Sequence, residues 1–321
     1  MRVSRLVIVP IMAAALALVV AGCSTTTSTP TTSATSASEA PKGTFNSGNA
    51  AYDAIINGGA VADAATVDAN AWAKAVKAAG VLKVGGTHTS QLFSLLDPAT
   101  GKDTGFDAGL SQLLARYIIG DAKTEVTQIQ TSTREEVLTS HSVNVVFATY
   151  SITPARMEKI NFAGPYYTVQ AGILVQASND TIKGVEDLAG KKVATQATST
   201  GVSLLATVAP EAIVQELPDQ ASCVNALQQG QVDAYVIDQS LLLNAMVGNN
   251  DFKLVGGPIG PVDSYGIGVA KDTDAKAFID AWLQKIMDDG TWLKLWKATV
   301  QERTGTDHIP SPPAINSANN G

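Results

Sequence analysis

The sequence predicts an α/β protein of two lobes, on three observations. Short β-branched runs alternate with helical patterns, this alternation runs through the chain twice, and 321 residues are enough for about two domains with sizeable cores. Charged residues make up only 16% against a usual ~25%. With 22 Lys+Arg, 29 Asp+Glu and a net charge of −7, the chain lacks the cationic surplus that grips nucleic-acid phosphate. Three histidines and two cysteines are too few for a Cys/His zinc cage or a multiply bridged disulfide scaffold, so burial must hold the fold together.

The N-terminus comes first. Arg2 and Arg5 precede an apolar run from Leu6 to Ala21, short for a bilayer-spanning helix and suited to the h-region of a secretory signal. Val20-Ala21-Gly22-Cys23 then resembles a bacterial lipobox, so residues 1–22 are expected to be a signal peptide and Cys23 the lipidated first residue of the mature chain. From Ser24 to Ser38 the chain is almost entirely Ser and Thr, which cannot bury enough apolar surface to offset the entropy of ordering. Residues 23–67 are therefore expected to be a tether. A short helix capped by Asp68, with Trp72 and Val76 on one face and Gly80 as its stop, opens the folded body.

The first series follows as strand 81–85, helix 106–119, strand 125–130, helix 134–140 and a buried strand 143–149. The second has strands at 172–175, 192–196, 213–216 and 234–237, with helices from about Thr200, over 221–229 and over 239–247. Both series read as parallel-sheet units. A strand at 265–269 and a strongly amphipathic helix from Ala275 to Ile286 complete the body. Pro310, Pro312 and Pro313 end regular structure, which places a disordered tail at 309–321.

No nucleophile-elbow, zincin, P-loop or dinucleotide-binding motif is present in the sequence. The chemistry suggested is that of binding. Open parallel sheets place ligands beyond the C-terminal ends of their strands. The segment 147–156 sets hydroxyls and Arg156 just past such an end, where a guanidinium fork matches a carboxylate. Gln196 to Gly201 opens a helix whose free N–H groups and hydroxyls attract anions. Asp238 closes another strand and suits an ammonium group. Taken singly, these are equally a surface charge, a plain N-cap and a helix cap; together they describe an α-amino acid. Of the histidines, His141 and His308 read as solvent-facing, while His88 stands where it either lines a cleft or faces outward.

Several motifs in order carry a resemblance over about residues 79–304: Gly105-Phe106-Asp107, Ala148 to Arg156, Asn161 to Tyr167, Asp187 to Val193, Val232-Asp233-Ala234 leading to Asp238, Ser264 to Gly268, and Asp289 to Trp292. Here the sequence resembles the extracellular solute-binding proteins of polar amino-acid ABC transporters, the type II periplasmic-binding-protein class. Within that class it looks most like the glutamate-binding lipoproteins of actinobacteria. The resemblance implies two doubly wound α/β lobes joined by a two-stranded hinge, lobe one at 68–169 and 266–308 and lobe two at 170–265, with crossings near Val169 and Tyr265. It implies a monomer without cofactor or enzymatic activity, anchored by lipid to the outer face of the cytoplasmic membrane and delivering a free amino acid to a permease. An enzyme on the same scaffold or a sensor subunit is the rival reading.

Residue by residue, the resemblance implies that Arg156 takes the ligand α-carboxylate with Thr149, Ser151, Thr198 and Ser199, and that Asp238 takes the α-ammonium, with Tyr265 also at the site. Arg134 occupies the position, 22 residues before the clamp arginine, at which acidic-amino-acid binders carry an arginine, so glutamate or aspartate is expected. Thr87 and Gln220 depart from the acidic pattern and leave glutamine or asparagine open as an alternative. Relatives have a cysteine pairing with the position of Cys223; this chain has none on the neighbouring strand, so a free, buried thiol is expected. Asn144 replaces the usual Asp before the clamp strand, with no functional account.

Overall fold

The computed structural model describes residues 50–319. The signal peptide, Cys23 and the Ser/Thr-rich stretch expected from the sequence lie outside the described residues. The chain is already helical at α1 (Ala50–Asn57), followed by α2 (Ala64–Asp68) and α3 (Ala71–Ala79). This corrects the expectation that tether continues to residue 67. Tyr52 and Ile56, one turn apart, are buried in the core, and Gly109 lets the Tyr52 ring approach the helix beneath, since a Cβ there would stand 3.2 Å from Cε2. Asp68 is the last residue of α2 rather than a cap. Asn70 caps α3 through its bond from the Ala73 amide, and Gly80 ends it in the left-handed conformation, as expected.

Strand β1 (Leu82–Gly86) leads into a small antiparallel sheet of β2 (Thr89–Ser90), β3 (Ser94–Asp97) and β4 (Lys102–Thr104). Helix α4 (Phe106–Ile119), β5 (Thr124–Gln128), α5 (Arg134–Thr139) and β6 (Val145–Val146) complete the first series. Strand β6 is far shorter than the expected 143–149. Thr149 turns into the left-handed region (φ 44°) and gives its N–H to Asp107 instead of to a neighbouring strand, so the chain leaves the ladder.

After α6 (Pro154–Met157), the long strand β7 (Asn161–Gln176) passes into the second series. This series comprises β8 (Lys192–Gln196), α7 (Thr200–Val208), β9 (Ile213–Leu217), α8 (Gln220–Gln228), β10 (Ala234–Asp238) and α9 (Gln239–Met246). Strand β11 (Phe252–Val269) returns, and α10 (Ala275–Asp288), α11 (Thr291–Trp296) and α12 (Glu302–Thr304) close the first lobe.

The eight-stranded sheet runs β5-β1-β6-β11-β7-β10-β8-β9. It is mixed rather than parallel: β11 is antiparallel to β6 and β7, and β10 is antiparallel to β7. The all-parallel expectation failed because β7 and β11, each traversing both lobes, pair with each other at the centre. Tyr166 and Tyr265 on these strands belong to one apolar core, while Ile173 and Leu174 belong to others around β8 and β10. The 309–319 segment is also more ordered than expected. The Asn316 amide donates to the Gly164 carbonyl at 2.8 Å, and Ile315 packs on the first core.

Candidate functional site

A cavity lies between the lobes, walled on one side by the segment after β6 and on the other by the ends of β8 and β10. On the first wall, Thr153 caps α6 and Pro154 supplies its preset first residue, which fixes Arg156 at the cavity. Arg156 is buried. Its Nη1 donates to the Ser151 carbonyl at 2.8 Å and its Nη2 to the Thr198 carbonyl at 3.1 Å, a bond that reaches the opposite lobe. Glu135 lies 4.0 Å from its Nε. Arg134 donates through Nε to the Thr131 carbonyl and through Nη1 to the Ala148 carbonyl, both at 3.2 Å.

The two guanidinium groups share the Tyr150 ring, at 4.1 and 5.0 Å from its centroid. Burial, and then the neighbouring Arg156 charge, lower the Arg134 pKa to about 10, which leaves it cationic at neutral pH. A guanidinium carries five N–H donors, so after these bonds both side chains retain hydrogens for a ligand.

The opposite wall is built around one carboxylate. Asp238 ends β10 and starts α9, and its Oδ2 accepts from the Tyr265 hydroxyl at 2.6 Å. Since Tyr265 donates there, its oxygen accepts from the Ser240 hydroxyl at 2.8 Å. Burial and the nearby Asp263 charge push the Asp238 carboxyl up to about 6, outweighing the opposite pull of Tyr265, Arg134 and Arg156.

The structure thus brings Arg156, Arg134, Thr149 and Ser151 together with Asp238 and Ser199 around one cavity, and Thr87 and Gln220 also line it. Gln220 spends its Nε2 on the Leu241 carbonyl at 2.7 Å, keeping its oxygen for other use. Thr198 and Tyr265 stand behind the lining, the one bracing Arg156 and the other Asp238. His88 does not line this cavity: its Nδ1 pairs with Asp103 at 2.7 Å beside α1. Cys223 is a buried free thiol, pushed up to about 12 by burial, and acts as a small apolar residue in the second-lobe core.

Sequence reasoning missed several lining residues. Asp107 receives the Thr149 N–H at 2.9 Å and the Tyr166 hydroxyl at 2.8 Å, and burial pushes it up to about 7. Its signal was present in Gly105-Phe106-Asp107, where Gly105 is obligatory because a Cβ would fall 2.4 Å from the Phe93 backbone. Phe93 supplies an apolar face, and Gln196 accepts from the Thr131 hydroxyl across the cleft at 3.0 Å. Gln196 opens the segment read from the sequence as a helix start, though not as a cross-cleft acceptor, and no sequence pattern announces Phe93.

Among the described residues no group of His, Cys, Asp and Glu is placed to hold a metal ion, and no helix is long and apolar enough to cross a membrane. Residues 82–300 match the bacterial extracellular solute-binding proteins, family 3. The glutamine-binding protein GlnH of the Bacillus subtilis ABC transporter is 32% identical over 66% of this chain and 78% of its own length. The glutamate-binding protein GluB of Corynebacterium efficiens is 33% identical over 62% of this chain and 72% of its own. The crystal structure of a solute receptor for L-cysteine from Neisseria gonorrhoeae superposes with a TM-score of 0.70 at 24% identity, covering 76% of this chain and 98% of that one, which shows the shared fold.

Proposed function

The chain belongs to the bacterial extracellular solute-binding proteins of family 3, and on that footing we propose that it captures a free α-amino acid, foremost glutamate or aspartate, between its lobes for an ABC permease. Arg156 receives the α-carboxylate, with the Thr149 and Ser151 hydroxyls and the α7 start at Ser199 meeting its remaining lone pairs. Asp238 receives the α-ammonium. Closure about the β7 and β11 crossings, near Val169 and Tyr265, brings the two sets of contacts together, so the ligand stabilises the closed form by touching both lobes.

The observation that carries the acidic preference is Arg134, a second buried guanidinium against the Tyr150 ring that also meets Arg156. A side-chain carboxylate would pair with it. A competing observation favours glutamine or asparagine: Glu135 stands near Arg156, and Gln128, Gln130 and Gln220 line the cavity. In that reading Glu135 offsets one arginine, and the ligand needs no second negative charge.

A melting-temperature screen of the chain without its first 23 residues, against all twenty amino acids and followed by calorimetry, separates the two. Shifts with glutamate or aspartate support the first reading and shifts confined to glutamine or asparagine the second; no shift with any amino acid overturns both. The lipobox at Cys23 completes the proposal with a lipid anchor on the outer face of the membrane, and Cys23→Ala is expected to release the protein from membranes into the soluble fraction. Binding and delivery, without catalysis, is the whole activity proposed.

A further inference from the structure

The two lobes also meet away from the charged pair. Asn244, near the end of α9, is buried, and its Oδ1 accepts from the Leu92 amide at 2.7 Å and from the Ser90 hydroxyl at 3.0 Å. Between these donors, Gln91 gives its Nε2 to the Val247 carbonyl at 3.4 Å, and Arg303 donates both to the Gln91 carbonyl and to its side-chain oxygen. Helix α9 and its end are divided between the lobes: Leu241 and Leu242 pack in a second-lobe core, while Leu243 packs against the first-lobe core and Val247, just past the helix, belongs to it.

We propose that Asn244 is an interlobe clasp, a positioning residue that sets how readily the cleft closes without touching the ligand. The proposal rests on the reading of the cleft as an amino-acid site and adds a control over it. One helix carries Asp238 at its start and Asn244 six residues on, about 9 Å along the axis. On the facing lobe, Leu92 is followed by Phe93, which lines the cavity and lies edge-on to Tyr265, the hydroxyl donor to Asp238. Ligand and clasp therefore draw together the same two elements. In this arrangement of the lobes the Leu92 N–H is buried against the Asn244 oxygen, and a side chain without that oxygen leaves the donor unmet. The closed population falls, and apparent affinity falls with it by the same factor for every ligand.

The test places fluorophores at Glu125→Cys and Glu216→Cys, exposed on the two edge strands, in a chain lacking Cys23 and carrying Cys223→Ala. With Asn244→Ala, the distance distribution of the ligand-free protein is expected to move to longer values. Apparent affinities for L-glutamate and L-glutamine are expected to weaken about tenfold by a common factor. Asn244→Asp, which keeps the accepting oxygen, restores the distribution. Gln91→Ala keeps both donors to Asn244 while removing the flanking bond to Val247 and the side-chain acceptor of Arg303, and, as a gentler variant should Asn244→Ala not fold, shifts the distribution in the same direction.

Unchanged distances and affinities, with or without a lower melting temperature, would make Asn244 merely structural and overturn the proposal. So would an effect confined to one amino acid, which would mark a direct ligand contact. Failure of the parent protein to bind either amino acid counts against the ligand reading, while the ligand-free distances still decide the clasp.

Discussion

The two walls of the cleft solve opposite electrostatic problems in different ways. The first holds two cations, and each guanidinium is fixed by two backbone carbonyls and the face of Tyr150. The second holds one anion, fixed by a single phenolic hydroxyl and crowded by Asp263. Arginine cannot shed its proton at neutral pH, so burying it demands acceptors, and the irregular chain around residues 148–151 supplies two of the four, with Thr131 and Thr198 giving the others. A carboxyl group can take up a proton instead, and Asp238 is shifted in that direction. The cations of the first wall thus meet acceptors without a ligand, one of them, the Thr198 carbonyl, supplied by the opposite lobe, whereas the second wall is left with a cost that an ammonium group would relieve.

The largest test of this contrast removes the better-supported wall. Arg156→Ala is expected to weaken amino-acid binding about 100-fold or more, ~3 kcal/mol, because the ligand carboxylate would be buried without its partner. Calorimetry that finds unchanged affinity would refute the clamp. Asp238→Asn should weaken binding less, about thirtyfold or ~2 kcal/mol, since an amide oxygen still accepts from the ammonium. It should also raise the melting temperature of the ligand-free protein by about 3 °C, because the shifted carboxyl is gone. No thermal gain would show that Asp238 carries no such cost. Smaller again and selective, Arg134→Met is expected to cost about tenfold in glutamate affinity and to leave glutamine nearly untouched. An equal loss for both would remove Arg134 from side-chain recognition.

The walls also differ in how far the sequence discloses them. Strand-end positions such as Asp238 and Ser199 follow from β-branched runs and the rule that ligands gather where parallel strands end. Arg156 stands out by its place just past a buried strand, whereas Arg134 is found only through the resemblance, by its spacing of 22 residues from Arg156. What periodicity could not supply was the course of the long strands: β11 shifts register against β7 three times, twice around Gly256 and Gly260 and again between Tyr265 and Ile267, so its alternation breaks and only the 265–269 end reads as strand. Tyr265 and Asp263 are brought beneath Asp238 by that pairing, and the support of the anionic wall is accordingly a tertiary fact. The same holds for α1. An Ala-rich stretch after a Ser/Thr-rich sequence gives no local sign that Tyr52 and Ile56 have a core to enter.

The finest test uses pH to separate the walls without mutation. In the ligand-free protein Asp238 holds its proton up to about pH 6, whereas in the unfolded chain it would release it near 4. Between those values the folded state binds the extra proton, so this group's contribution to stability declines as pH rises. Ligand affinity runs the opposite way, since the ammonium requires the ionised form. Apparent affinity is expected to fall about fourfold between pH 7 and pH 5.5, with proton release measurable by calorimetry in buffers of different ionisation enthalpy. Asp107, pushed up to about 7 by burial, is already committed to the Thr149 N–H and the Tyr166 hydroxyl. Its titration would loosen Thr149 on the cationic wall, so Asp238→Asn distinguishes the two sources. A pH dependence that survives this substitution belongs to Asp107 and the first wall; one that disappears belongs to Asp238, as the proposed ammonium contact requires.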